Sequence, residues 1–114
     1  MTAQNNDSPK RRILYLHLRR KYFLQVKQGI KPYEYRRITP YWEKLLSKMR
    51  PGDCICIMDG YPPRNDKNRR IPFPWDGFKR ILLKHEEFGD ESAPVFAIRL
   101  NPSKKRRDVP QLSA

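Results

Sequence analysis

Three charged residues at close spacing are the first candidates for chemistry. Lys31, Glu34 and Arg36 fall in the stretch Gly29-Ile30-Lys31-Pro32-Tyr33-Glu34-Tyr35-Arg36. Gly29 lets the backbone turn, and Pro32 pushes Lys31 into an extended conformation. On the strand that follows, Glu34 and Arg36 share one face while Tyr33 and Tyr35 take the other. A carboxylate flanked by two cations stays ionised, and a partly desolvated lysine beside it is a candidate for proton transfer. The trio would supply an acid–base pair and a guanidinium to steady developing negative charge. The same spacing also describes a plain surface ion-pair ladder.

A second group lies in Tyr61–Trp75 (YPPRNDKNRRIPFPW), where Arg64, Lys67, Arg69 and Arg70 are interleaved with Tyr61, Phe73 and Trp75. Single-stranded RNA is held this way, with cations along the phosphates and aromatic faces under unpaired bases. Tyr61, Arg64, Arg69, Arg70 and Trp75, together with Lys31 and Arg36, are therefore the candidate nucleic-acid contacts. The competing account has Phe73 and Trp75 anchoring the loop while its arginines are simply solvated. His85, beside Glu86 and Glu87, is a candidate acid–base group. His17 sits in an apolar run and reads as a satisfied buried histidine. Arg19, Arg20 and Lys21 stand at the positive end of a helix, which favours a task outside it or a solvated cluster.

Cys54 and Cys56 point to one side of a strand, which suits buried small hydrophobes better than a disulfide. A zinc site would need both plus His17 and His85, and no ligand spacing supports it. Serine-hydrolase and phosphate-loop motifs are absent, so no metal and no cofactor is expected.

The elements that must position these groups follow from the apolar pattern. Ile13 to Leu18 is apolar on both faces, as in a strand under a helix or within a closed sheet. Lys21 to Gln28 reads as a short helix stopped by Gly29. The next helix has Thr39 as its cap, Pro40 in its first turn and Glu43 at its positive end. Its apolar stripe is Trp42, Leu45, Leu46 and Met49, and Pro51-Gly52 terminates it. Asp53 to Met58 is a buried strand, Asp59 to Pro74 a long irregular segment, and Asp76 to Leu83 and Val95 to Leu100 the last strands. The link His85–Pro94 is polar. The expected fold class is α+β, a small mixed β-barrel of about five or six strands flanked by two or three short helices.

The chain of 114 residues suffices for one domain. Residues 1–12 read as a disordered leader, 13–100 as the domain and 101–114 as a basic flexible tail whose Lys104–Arg107 run is a further candidate contact. The formal net charge is +13, and residues 13–100 alone hold 18 basic against 10 acidic side chains. The folded part is thus basic by itself, which favours a polyanionic partner. No apolar run approaches a membrane span and no signal peptide is evident, so a cytoplasmic protein with no membrane partner is expected. Two cysteines form no disulfide framework, in keeping with a reducing compartment.

The stretch Gly29–Arg36 resembles the G-x-K-x-x-E-x-R signature of the ASCH family, a branch of the PUA-like folds. The segments LHLRRKYFLQVKQG, ITPYWEKLL, MDGYP, FPWDGF and EFG…PVFAIRL are similar to other parts of that family in the same order, over about residues 13 to 100. The resemblance implies a PUA-like barrel with a cleft beside the motif, binding RNA or nucleotides. Some members resemble hydrolases that deacetylate acetylcytidine or cut single-stranded RNA. In the amidohydrolase branch a threonine stands where this chain has Glu34, while Lys31 and Arg36 match. A later glutamate completes that branch's site, and Glu86 or Glu87 is the candidate for it. Three functions follow as expectations: an RNA-binding or nucleotide-binding module, a ribonuclease or nucleoside amidohydrolase using Lys31 and Glu34, or an interaction domain for an acidic protein partner.

Overall fold

A computed structural model describes residues 11–86, 89 and 91–100. In chain order its elements are β1 (Ile13–Leu18), α1 (Arg20–Lys27), β2 (Tyr33–Arg37), α2 (Pro40–Ser47), β3 (Cys54–Asp59), β4 (Arg70–Pro74), β5 (Phe78–Lys84) and β6 (Ser92–Arg99), with a 3-10 turn at Lys67–Arg69 before β4. The fold is α+β, with six strands and two helices. The strands form two three-stranded sheets, one ordered β1-β3-β4 and the other β2-β6-β5. In the first, β3 runs parallel to β1 and antiparallel to β4; the second is antiparallel throughout. Among the described residues no ladder joins the two sheets, so the strands do not close into the expected hydrogen-bonded barrel.

The helices end where local chemistry stops them. Gly29 adopts φ 78°, Ile30 N–H donates to the Gln25 carbonyl and Gly29 N–H to that of Val26. This paired closure satisfies the last carbonyls of α1 with a left-handed residue that glycine adopts without strain. Thr39 Oγ1 accepts from Trp42 N–H at 3.2 Å, Pro40 occupies the first turn and Glu43 lies in it. The helix α2 stops at Ser47, before Met49, although Met49 still packs against the core.

The core is assembled from both sheets and both helices. Leu16, Leu18, Ile55, Ile57, Ile71 and Phe73 come from the first sheet, Phe96 and Ile98 from the second, Phe23 and Val26 from α1, and Leu46 from α2. All six residues of β3 are buried, as expected for the central strand of a sheet covered on both faces. Arg12, at the end of the expected leader, is tied to the fold: its N–H donates to Asp53 and its carbonyl accepts from Cys54 N–H.

Two strands depart from the sequence expectation, both because of proline. The segment expected to be irregular up to Pro74 ends in β4, whose Ile71 and Phe73 point inward between Pro72 and Pro74. Proline is tolerated there because β4 is an edge strand with one unpaired side. β6 begins at Ser92 and not at Val95, with Pro94 inside it. Pro94 lies one residue past the last β2 pairing, Arg37 with Val95, and its carbonyl still accepts from Ile38 N–H at 3.5 Å.

Cys54 and Cys56 are free and buried. Burial is the main cause pushing the Cys56 thiol up to about 11, with nearby Arg70 opposing it. The unfolded chain releases this proton near 9.0. The stabilisation linked to it is therefore present below that pH and lost between about 9 and 11. The stability advantage of the parent over Cys56→Ala, read by urea unfolding, is expected to shrink on going from pH 8 to pH 10. In the native protein at pH 8 both thiols should resist iodoacetamide until denaturant is added.

Candidate functional site

The motif Gly29–Arg36 delivers its three charged groups to one place. Glu34 lies in β2 and is only 4 % exposed. Its carboxylate pairs with Lys31 Nζ at 3.3 Å and with the Arg36 guanidinium, whose side chains are 12 % and 19 % exposed. A buried carboxylate left alone would be costly, and here both of its oxygens have a cationic partner. Arg36 also donates to the carbonyls of Tyr35 at 3.0 Å and His17 at 3.1 Å, and stands over the Trp42 ring at 5.2 Å. Lys31 Nζ stands 4.6 Å from the Tyr35 ring centroid and 5.8 Å from that of Tyr22. This is an inward-facing cluster, not a surface ladder.

The cluster lines a cleft of about 340 Å³ bounded by His17 and Leu18 at the end of β1, Arg19 just after it, Tyr22 of α1, residues 34–37 of β2, and Leu83 and His85. β1 and β2 are each the edge strand of their sheet, so the cleft opens where the two sheets meet without pairing. Its lining carries four cations, Arg19, Lys31, Arg36 and Arg37, against one carboxylate. Burial, then the neighbouring Tyr33, raises the Tyr35 phenol above its ordinary value. It therefore stays protonated at neutral pH and keeps its donor.

His17, which the sequence suggests as a buried structural histidine, is part of this lining. Its Nδ1 lies 2.8 Å from the Gly60 carbonyl, and its ring stacks on Tyr61 with centroids 4.1 Å apart. A carbonyl can only accept, so Nδ1 carries the proton and Nε2 is the acceptor of the neutral ring. The one available sequence signal was its position at the end of β1, just before the cationic run Arg19–Lys21. Tyr22 and Arg37 were likewise missed as lining residues. His85 reaches the cleft as a neighbour of Tyr22, with ring centroids 5.6 Å apart.

The second candidate group is only partly brought together. Arg69 donates to the Asp59 carbonyl at 2.8 Å and pairs with the Asp59 carboxylate, while Arg70 donates to the carbonyls of Pro62 and Pro63, both at 3.1 Å. These two arginines brace the loop from within. Arg64 is exposed on that loop, and Tyr61 is exposed at its start. Trp75 packs against the core, and its N–H donates to the Asp53 carbonyl. That contact is at the opposite end of β3 from Gly60, roughly 23 Å away at strand rise, and Trp75 does not join the cleft. Glu86 pairs with Lys21, whose hydrogen bonds and charge lower the Glu86 carboxyl, and it is not among the lining residues. Glu87 and Lys104–Arg107 lie outside the described residues. Among the described residues no three His, Cys, Asp or Glu side chains gather as a metal site, and no helix is long and apolar enough to cross a membrane.

Comparisons with family models, with curated proteins and with solved structures found no match to the chain.

Removing the Glu34 carboxylate strands two largely buried cations. Glu34→Ala is expected to lower stability by about 3 kcal/mol in urea unfolding, as when one partner of a buried pair is deleted. Glu86→Ala breaks only an exposed pair and should leave the unfolding midpoint where it is.

Proposed function

We propose that this protein binds RNA, as a single strand or a nucleotide, in the cleft between β1 and β2. The observation that carries this reading is the pairing of a cationic cleft with one buried, fixed carboxylate. Four basic side chains favour a phosphate, and Glu34 adds an acceptor for an exocyclic amine or a ribose hydroxyl. Tyr22 and Tyr35 supply aromatic faces beside Lys31. The formal net charge of +13 supplies the long-range attraction. The reading includes assignment of the fold to the ASCH branch of the PUA-like group, on the motif around Lys31, Glu34 and Arg36 and the ordered likenesses along the chain. A cytoplasmic setting fits the two free thiols.

One observation favours a second reading as a hydrolase of RNA or a modified nucleoside. His17 and His85 line the same cleft as Lys31 and Glu34, so several proton-transfer groups surround one space. Arg36 would then stabilise charge developing on an amide oxygen or a phosphorane. No serine, threonine or cysteine is among the lining residues, so water, or the ribose 2′-hydroxyl of an RNA substrate, would attack.

The test is fluorescence anisotropy of a labelled single-stranded RNA at fixed salt, with acetylated cytidine assayed alongside and Lys31→Ala as the variant. The parent is expected to bind with an affinity that falls steeply with salt, and Lys31→Ala to bind on the order of tenfold more weakly. Absence of binding at low salt would overturn the proposal. Turnover of either substrate that disappears in Lys31→Ala would replace binding with catalysis.

A further inference from the structure

Among the described residues Tyr61 is the most exposed of the large apolar side chains, at 81 %. A single exposed aromatic needs no explanation, but this one is held in place. Its ring lies on His17 at an interplanar angle of 20°, and His17 is itself fixed through Nδ1 to the Gly60 carbonyl. Gly60 takes φ 62°, and its N–H donates to the Leu18 carbonyl at 2.8 Å, closing the chain against the end of β1. Asp59, buried just before it, pairs with Arg20 at 3.1 Å and with Arg69 at 3.5 Å. Arg70 secures the carbonyls of Pro62 and Pro63 on the other side of Tyr61. The loop that presents Tyr61 is thus pinned before and after it.

The outcome is an aromatic ring whose inner face covers a cleft histidine and whose outer face is left to solvent. A preorganised surface of this kind loses little freedom when a flat partner settles on it. It also directly adjoins the cleft, because His17 belongs to both.

We infer that the His17–Tyr61 stack is a platform for a second base, so the ligand of the cleft is a single strand of at least two nucleotides and not a free mononucleotide. This rests on the nucleic-acid reading above and adds to it the form of the ligand. One nucleotide occupies the cleft beside Lys31 and Glu34, and the base of a neighbouring nucleotide stacks on the outer face of Tyr61. Arg64, exposed three positions along the same loop, adds a cation for the backbone. A paired duplex cannot use the platform, since its bases are already stacked on one another.

The experiment compares binding of adenosine monophosphate, a single-stranded RNA dodecamer and the same dodecamer annealed to its complement, at one salt concentration. The proteins are the parent, Tyr61→Ala and Tyr61→Phe. Because neither substitution changes a charge, a loss at fixed salt reports stacking and not phosphate attraction. For the parent the single strand should bind more tightly than both the mononucleotide and the duplex. Tyr61→Ala should lose on the order of tenfold in single-strand affinity, and Tyr61→Phe should restore it, since the ring and not the hydroxyl does the stacking. Single-strand affinity unchanged in Tyr61→Ala, or a duplex bound as tightly as the strand, would overturn the platform while leaving the cleft as a nucleotide site. A parent that binds none of the three would overturn the nucleic-acid reading itself.

Discussion

Burying Glu34 constrains much of what surrounds it. An ionised carboxylate taken out of water must recover its lost hydration from the protein. Glu34 does so with Lys31 on one oxygen and Arg36 on the other. Arg36 in turn has donors left over, and it spends them on the carbonyls of Tyr35 and His17. The His17 carbonyl belongs to β1, the edge of the other sheet. One guanidinium therefore satisfies a buried charge and crosses a seam that no backbone ladder bridges among the described residues. A lysine in place of Arg36 would keep the charge and lose the planar set of donors that makes the crossing.

Cations in this chain are divided between holding the fold and facing outward. Arg20 and Arg69 converge on Asp59, Arg70 braces the loop carbonyls, and Arg36 joins the sheets. What remains around the cleft is still an excess of positive charge over one carboxylate. The structural arginines serve the outward-facing ones indirectly, because they fix the strand ends and the loop on which His17 and Tyr61 are displayed. Net charge alone reports none of this division.

Features governed by neighbouring residues were legible in the sequence. Both helices could be read, with the Gly29 stop and the Thr39 cap, and so could β1, β2 and the buried β3. So could the shared face of Glu34 and Arg36, which follows from the two-residue period of a strand. Features governed by distant partners were not. β4 was hidden because Pro72 and Pro74 argue against a strand unless its edge position is known. Arg69 and Arg70 looked like ligand contacts because their partners, the Asp59 and proline carbonyls, become acceptors only once the loop has folded back. Trp75 was grouped with them by sequence proximity, yet the chain running back along β3 carries it to the far end of that strand. The apolar strand around His17 points to a core residue, and only the unpaired edge of β1 brings it to the cleft.

The same edge explains why the site lies where it does. A sheet edge ordinarily leaves backbone donors and acceptors in need of partners, and proteins cover such edges or charge them. Here β1 and β2 border one cleft without pairing, and the Arg36 guanidinium reaches from β2 to the His17 carbonyl of β1. Guanidinium and ammonium groups can satisfy strand carbonyls while still presenting donors to solvent, which a backbone ladder cannot do. Closing the seam with hydrogen bonds would fill the cleft, whereas filling it with apolar side chains would strand Glu34 and its partners. The arrangement found keeps the seam open and polar, with a fixed carboxylate at its base. That is the form a site needs if it is to receive a charged, hydrogen-bonding ligand between two rigid walls.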